Sequence, residues 1–170
     1  MKTLYENPWF RVVQEGRFHW VVEDNAHNGA AVLARIGDDE FLLLKIQRQA
    51  HPGIQLEIPR GYGQPGETSQ ACACRELAEE TGYQVSEDQL IRLGRIKPNS
   101  SILASSIDLY LANMDAHALP GSRDDEAREV VRIKLDQLRK MLLEGAIEDS
   151  FTLSALALLF NRMALESAAP

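Results

Sequence analysis

The sequence predicts an α/β fold, a mixed β-sheet covered by helices. Short alternating or β-branched segments outnumber helical ones; three segments carry helical spacing with caps; and Gly and Pro stand singly between them. At 170 residues and 45% hydrophobic content the chain fits one domain, 1–170, with a sizeable core. There is no internal repeat, low-complexity tract or long linker.

Strands are expected near Phe10–Gln14, Phe18–Glu23, Gly29–Ile36 and Phe41–Ile46, where apolar residues alternate or cluster, with a turn at Gly37-Asp38-Asp39. A short strand, Ile54–Ile58, runs into Pro59, and further strands are expected at Leu93–Lys97, Ser105–Ala112 and Glu129–Leu135. The first helix should run from Thr68 to Glu80, capped by Thr68 or Ser69 and closed by Gly82. The second is expected over Asp136–Glu144, stopping at Gly145. The third, Thr152–Glu166, carries Leu156, Leu159, Phe160 and Met163 at helical spacing, an apolar core-facing stripe.

Charge and composition exclude several functions. With 18 basic and 25 acidic residues the net charge is −7, so no global positive field draws in a nucleic-acid backbone or an anionic membrane. A phosphorylated ligand must therefore be gathered locally, by a cation or a few arginines. The start, MKTLYENPWF, lacks the apolar core of a signal peptide, and no run reaches the ~18 residues of a membrane span. Cys72 and Cys74 lie two apart in a helix and cannot bridge, which suits a reducing cytoplasm. The sequon Asn99-Ser100-Ser101 carries no weight without secretion.

The first helix poses an electrostatic problem. Leu77, Cys74, Ala78 and Ala71 fall on one side, while Glu76, Glu79 and Glu80 share an arc of about 100° on another. Like charges three and four apart cost a few tenths of a kcal/mol each, and the helix dipole disfavours anions in its later half. Two readings are open: a solvated acidic face, or a site where a hard dication such as Mg²⁺ or Mn²⁺ reverses the sign of that cost. Before the helix, Gly61, Gly63 and Gly66 flank Pro65 in a tight loop. They also spell the dinucleotide fingerprint, but Glu57, Pro59 and Arg60 interrupt the apolar strand that fingerprint requires.

Gly61, Glu67, Arg75-Glu76-Leu77, Glu79-Glu80 and Gly82, with an apolar position after it, resemble the signature box of the Nudix hydrolases over 61–83. The one departure is Tyr83, where the family usually has an aliphatic residue. Arg48-Gln49-Ala50-His51 followed by Glu57-Ile58-Pro59-Arg60-Gly61 looks like the lead-in of ADP-ribose pyrophosphatases and related nucleotide-sugar hydrolases, with His51 replacing its second arginine. Pro98 and the tail Gly145-Ala146-Ile147-Glu148-Asp149-Ser150-Phe151-Thr152 are similar to that branch as well.

The resemblance implies a Nudix fold, an α/β/α sandwich with a mixed sheet, and metal-dependent hydrolysis of a nucleoside diphosphate linked to another group, with Mg²⁺ or Mn²⁺ as cofactor. On matching positions it implies Glu76, Glu79 and Glu80 as catalytic metal ligands, the Arg60 carbonyl as a backbone ligand, and Glu67 and Arg75 as residues that orient them. Glu126, in the acidic run Asp124–Glu129, is the expected catalytic acid serving the water. Arg48, His51, Trp20 and Pro98 are the expected substrate contacts. The branch also implies a homodimer built through the strands of residues 1–28, in which Trp9 and Trp20 meet the base; a core role for either tryptophan is the bland alternative. The leading substrate is ADP-ribose, giving AMP and ribose 5-phosphate; the alternatives are a GDP- or UDP-sugar, a dinucleoside polyphosphate or a modified nucleoside triphosphate, and, from another class, a nucleotide-binding regulator without turnover.

Overall fold

A computed structural model describes residues 1–24 and 26–168. Among these, ten strands and three α-helices form two sheets and their covering layers. A small antiparallel sheet is made of β1 (Lys2–Glu6), β2 (Arg11–Glu15) and β3 (Phe18–Val22). The large sheet contains β4 (Ala30–Ile36), β5 (Glu40–Ile46), β6 (Gln55–Glu57), β7 (Arg60–Gly61), β8 (Leu90–Ile96), β9 (Ile107–Met114) and β10 (Glu129–Lys134). Its main order is β10-β5-β4-β9-β8, with β6 on β5 and β7 on β4. It is mixed: β4 and β9 run parallel, and the other pairings are antiparallel.

The helices are α1 (Ser69–Thr81), α2 (Leu135–Leu143) and α3 (Ser150–Ser167). Strand β4, AAVLARI, shows why the layers form. Ala31 and Leu33 point into one core with Phe41, Leu109, Leu138, Ala155 and Leu156, beneath α2 and α3. Ala30, Val32, Ala34 and Ile36 point into the other with Cys72, Ala73 and Leu77 of α1. Period-two alternation thus feeds both faces, and the strand reads as nearly continuous apolar sequence because neither face meets water. The α/β/α arrangement expected from the sequence is the one observed.

Several boundaries move. β1 was not expected; all five of its residues are exposed, so no apolar alternation marks it. The two-residue β7 is likewise unannounced. β8 starts at Leu90 and shifts register between Arg92 and Gly94. α3 starts at Ser150, two residues before the expected Thr152, because Asp149 caps it by accepting from the Thr152 amide at 2.9 Å. α1 begins and ends as expected: the Thr68 side chain accepts from the Ala71 amide, and Gly82 takes φ 79°. Its buried face is different, however. Cys72, Ala73, Leu77, Glu80 and Thr81 are buried rather than Ala71, Cys74 and Ala78. The small sheet meets the segment before β9 through Val21, which donates to the Ile102 carbonyl at 2.7 Å and accepts from the Ala104 amide at 2.9 Å.

Candidate active site

The site forms where β7 passes the front of α1. Gly61 is required there: a Cβ at this position would lie 2.0 Å from Glu76 Oε1, so only glycine lets the strand and the helix carboxylate approach this closely. The adjoining Arg60 amide donates to Glu80 Oε2 at 3.0 Å. Glu80 is 1% exposed. Burial, reinforced by the facing negative charges of Glu126 and Glu76, pushes its carboxyl up to about 8. Burial raises the Glu76 carboxyl too, against the opposing pull of Arg75.

Arg75 gathers the other acids. Its Nε and Nη2 donate to the two Glu67 oxygens, each at 3.0 Å, while Nη1 reaches Glu76 at 2.6 Å and Glu79 at 2.9 Å. Nη2 also donates to the Tyr62 carbonyl at 2.9 Å, tying the glycine loop to the helix. Bonding to Glu67 leads the interactions that hold Arg75 charged, and the same bond lowers the Glu67 carboxyl. Glu67 in turn accepts from the Gln64 amide at 2.8 Å, closing the loop on itself.

A second ion-pair network forms the opposite wall. Glu57, 2% exposed, is shared by Arg48 at 2.7 Å and Arg60 at 2.9 Å. Arg48 extends to Glu126 at 2.8 Å. Arg60 reaches Asp149 at 2.7 Å and lies 4.3 Å over the Phe151 ring. The loop carrying Glu126 is fastened to the end of α1: Gly121 donates to the Gly82 carbonyl and Asp124 to the Glu79 carbonyl, both at 2.7 Å. Between the walls lies a cleft of about 820 Å³, bordered by Glu23, Arg48, Arg60, Tyr62, Glu76, Pro98, Glu126 and Phe151 among others. That volume is suited to a small organic ligand.

Most of the expected residues meet here. Arg48, Arg60, Glu76, Pro98 and Glu126 line the cleft, and Glu67, Arg75, Glu79 and Glu80 stand within the network behind or beside it. Two of the expected substrate contacts do not line this cleft. His51 is exposed, and the cleft wall takes Ala50 instead, because the chain turns there with the His51 amide on the Arg48 carbonyl. Trp20 lies in the small sheet beside a shallow hollow with Ile102 and Leu103, outside this cleft, since β3 pairs with β2 and not with the large sheet. Three residues were missed. Tyr62 donates to Glu23 at 2.6 Å, Glu23 accepts from Ser105 at 2.6 Å, and Phe151 stacks on Arg60. No local spacing marks the Glu23 pairings, which join residues 39 and 82 apart, whereas Phe151 lies within the tail segment 145–152.

Among the described residues, no three carboxylate, imidazole or thiol side chains converge as a ready-made metal cage. The donor chemistry nevertheless fits a hard dication. Glu76 and Glu80 offer carboxylate oxygens whose mutual repulsion a cation relieves, beside a backbone that Gly61 brings close.

The family description of the NUDIX domain matches residues 25–154, and the chain belongs to that family. With its box complete, it is a Nudix pyrophosphohydrolase. Among known proteins, it is 28% identical over 145 residues to the ADP-ribose pyrophosphatase of Bacillus subtilis (strain 168), covering 83% of this chain and 77% of that one. It is 29% identical over 143 residues to the methanol dehydrogenase activator of Bacillus methanolicus, covering 82% and 76%. It is 28% identical over 141 residues to the GDP-mannose pyrophosphatase of Klebsiella pneumoniae subsp. pneumoniae, covering 81% and 68%. A crystal structure of an ADP compounds hydrolase superposes with a TM-score of 0.75 over 99% of this chain and 94% of that one; at 21% identity it speaks to the fold.

Proposed function

We propose that the protein hydrolyses the pyrophosphate bond of a nucleoside diphosphate sugar, with ADP-ribose giving AMP and ribose 5-phosphate, in the presence of Mg²⁺ or Mn²⁺. The observation that carries this reading is the geometry: the buried Glu80 carboxyl, fixed by the Arg60 amide, stands behind a cleft that Glu76 and Glu126 line together with two arginines. Glu76 and Glu80, helped by Glu79 and the Arg60 carbonyl, would hold the dication. When bound, it neutralises phosphoryl oxygens and lowers the pKa of a bound water. Arg75 and Glu67 keep the glutamates oriented. Arg48 and Arg60 present guanidinium forks to the diphosphate oxygens, and Pro98 and Phe151 border the space beside them. Glu126 takes the proton of the attacking water as its oxygen bonds to phosphorus and the bridging P–O bond breaks.

The sugar class draws support from the pyrophosphatase relatives and from the Arg48–Glu57–Arg60 wall, which matches the lead-in of that branch. The test is incubation of the protein with ADP-ribose and Mg²⁺, following AMP, with GDP-mannose, dinucleoside polyphosphates and modified triphosphates in parallel. AMP release that falls at least about a hundredfold in Glu80→Gln supports the reading. Silence across the panel, with binding of one compound retained, overturns it in favour of a regulator. Exposed Leu4, Tyr5, Trp9 and Phe18 on and beside the small sheet support a homodimer through residues 1–28, which light scattering reads directly. No described helix is long and apolar enough to cross a membrane, and a cytoplasmic location fits the two free cysteines.

A further inference from the structure

Across the end of α1 from the cleft lies a hollow of about 390 Å³ with an unusual lining for a chain of net charge −7. Arg123, Arg128 and Arg132 border it, over an apolar floor that includes Leu42, Val130 and Tyr83. Arg132 is held in place by Tyr83, whose hydroxyl accepts from its Nη2 at 2.6 Å, and Tyr83 is itself buried. The aromatic residue that departs from the family box is therefore a strut for this guanidinium.

Among the described residues, two of the three charges have no acidic partner and the third has only a long one. Arg123 donates to the carbonyls of Ala127 at 2.7 Å and Asp124 at 3.1 Å, Arg128 donates to Gln47, and among the described residues neither forms an ion pair. Glu129, the one acid on the rim, is turned to Lys45 at 2.7 Å; Glu40 stands 3.6 Å from Arg132. Guanidinium forks with free donors above an apolar floor suit a phosphate joined to a compact organic body.

We propose that this hollow is a second binding site, for a small organic phosphate, separate from the cleft and independent of what the cleft hydrolyses. The phosphate sits on Arg128 and Arg132 and the apolar body on Leu42 and Val130. Arg123 clamps the backbone on either side of Glu126, so an occupant braces the loop that reaches the cleft.

The test titrates AMP, and separately inorganic phosphate, into the metal-free full-length protein while amide shifts are followed by NMR. Saturable shifts at Tyr83, Val130 and Arg132 are expected from both, stronger with AMP because it alone fills the apolar floor. Arg128→Ala should weaken these shifts' affinity about tenfold or more, leaving any shifts at Gly61 and Tyr62 of the cleft unchanged. The Arg128 side chain hydrogen-bonds only to Gln47 and is exposed, so the variant keeps the fold and the comparison holds. Absence of saturable shifts at Tyr83, Val130 and Arg132, or shifts that persist at wild-type affinity in Arg128→Ala, overturns the proposal.

Discussion

The Arg60 amide donates to Glu80 Oε2 at 3.0 Å, so a carboxylate 20 residues further along the chain is fixed against the strand that leads into the glycine loop. That single bond offsets only part of the cost of burying Glu80, and the remainder should be visible in solution.

In protein stripped of metal, Glu80 binds a proton more tightly when folded, near pH 8, than when unfolded, near 4.5. The folded state therefore holds more protons between these values, and the stability that protonation supplies is present below about 4.5 and lost as pH rises through about 8. The slope is at most about 1.4 kcal/mol per pH unit. Denaturant titrations from pH 5 to 8 in chelator should show this decline, and Glu80→Gln should flatten it. Saturating Mg²⁺ should also flatten it, because the cation replaces the proton. A wild-type curve parallel to that of Glu80→Gln would contradict the buried-carboxyl assignment.

Arg75→Lys tests whether the guanidinium fork matters beyond its charge. Lysine cannot span Glu67, Glu76 and Glu79 at once. The Mg²⁺ concentration needed for half-maximal activity should rise about 10–100-fold, with maximal turnover less affected. An unchanged metal requirement would show that Arg75 serves only the fold.

Glu126→Gln keeps the size of the side chain and its hydrogen-bonding reach to Arg48 while removing its basicity. Turnover should fall at least about tenfold with KM nearly constant. Full-speed turnover would transfer the role to another acid.

Two glycine variants should separate fold from site. In Gly82→Ala the new Cβ meets the Gly121 carbonyl oxygen at 2.5 Å in a left-handed conformation, φ 79°, so thermal stability should drop by about 1–2 kcal/mol or more. In Gly61→Ala the clash is with the tip of Glu76, a flexible side chain that can move aside. That variant should stay near wild-type stability yet lose most of its activity, a split that calorimetry and a product assay read together.

Much of this site was legible because the chemistry fixes spacing. Glu67, Arg75, Glu76, Glu79 and Glu80 must meet within two turns of helix and one loop, so they stand in a short, rigid pattern. Thr68 and Gly82 marked the helix ends because caps are local. The face of α1 was not legible: Ala71, Cys72, Ala73 and Cys74 are all small, and a run of small residues gives no periodicity to say which side packs. Glu80 would not be placed in the interior by its type. Arg48 and Glu126 meet across 78 residues, and Tyr62 and Glu23 across 39; such pairings follow from sheet order, which local pattern does not encode. His51, expected as a substrate contact from its position after Arg48, does not line the cleft, where one turn of backbone places Ala50.

The grip of one guanidinium on Glu67, Glu76 and Glu79 has a consequence for the resting protein. It is a built-in counter-ion that quiets three acids at once. The fold thus carries its own relief for this repulsion and need not borrow an outside cation to stay intact.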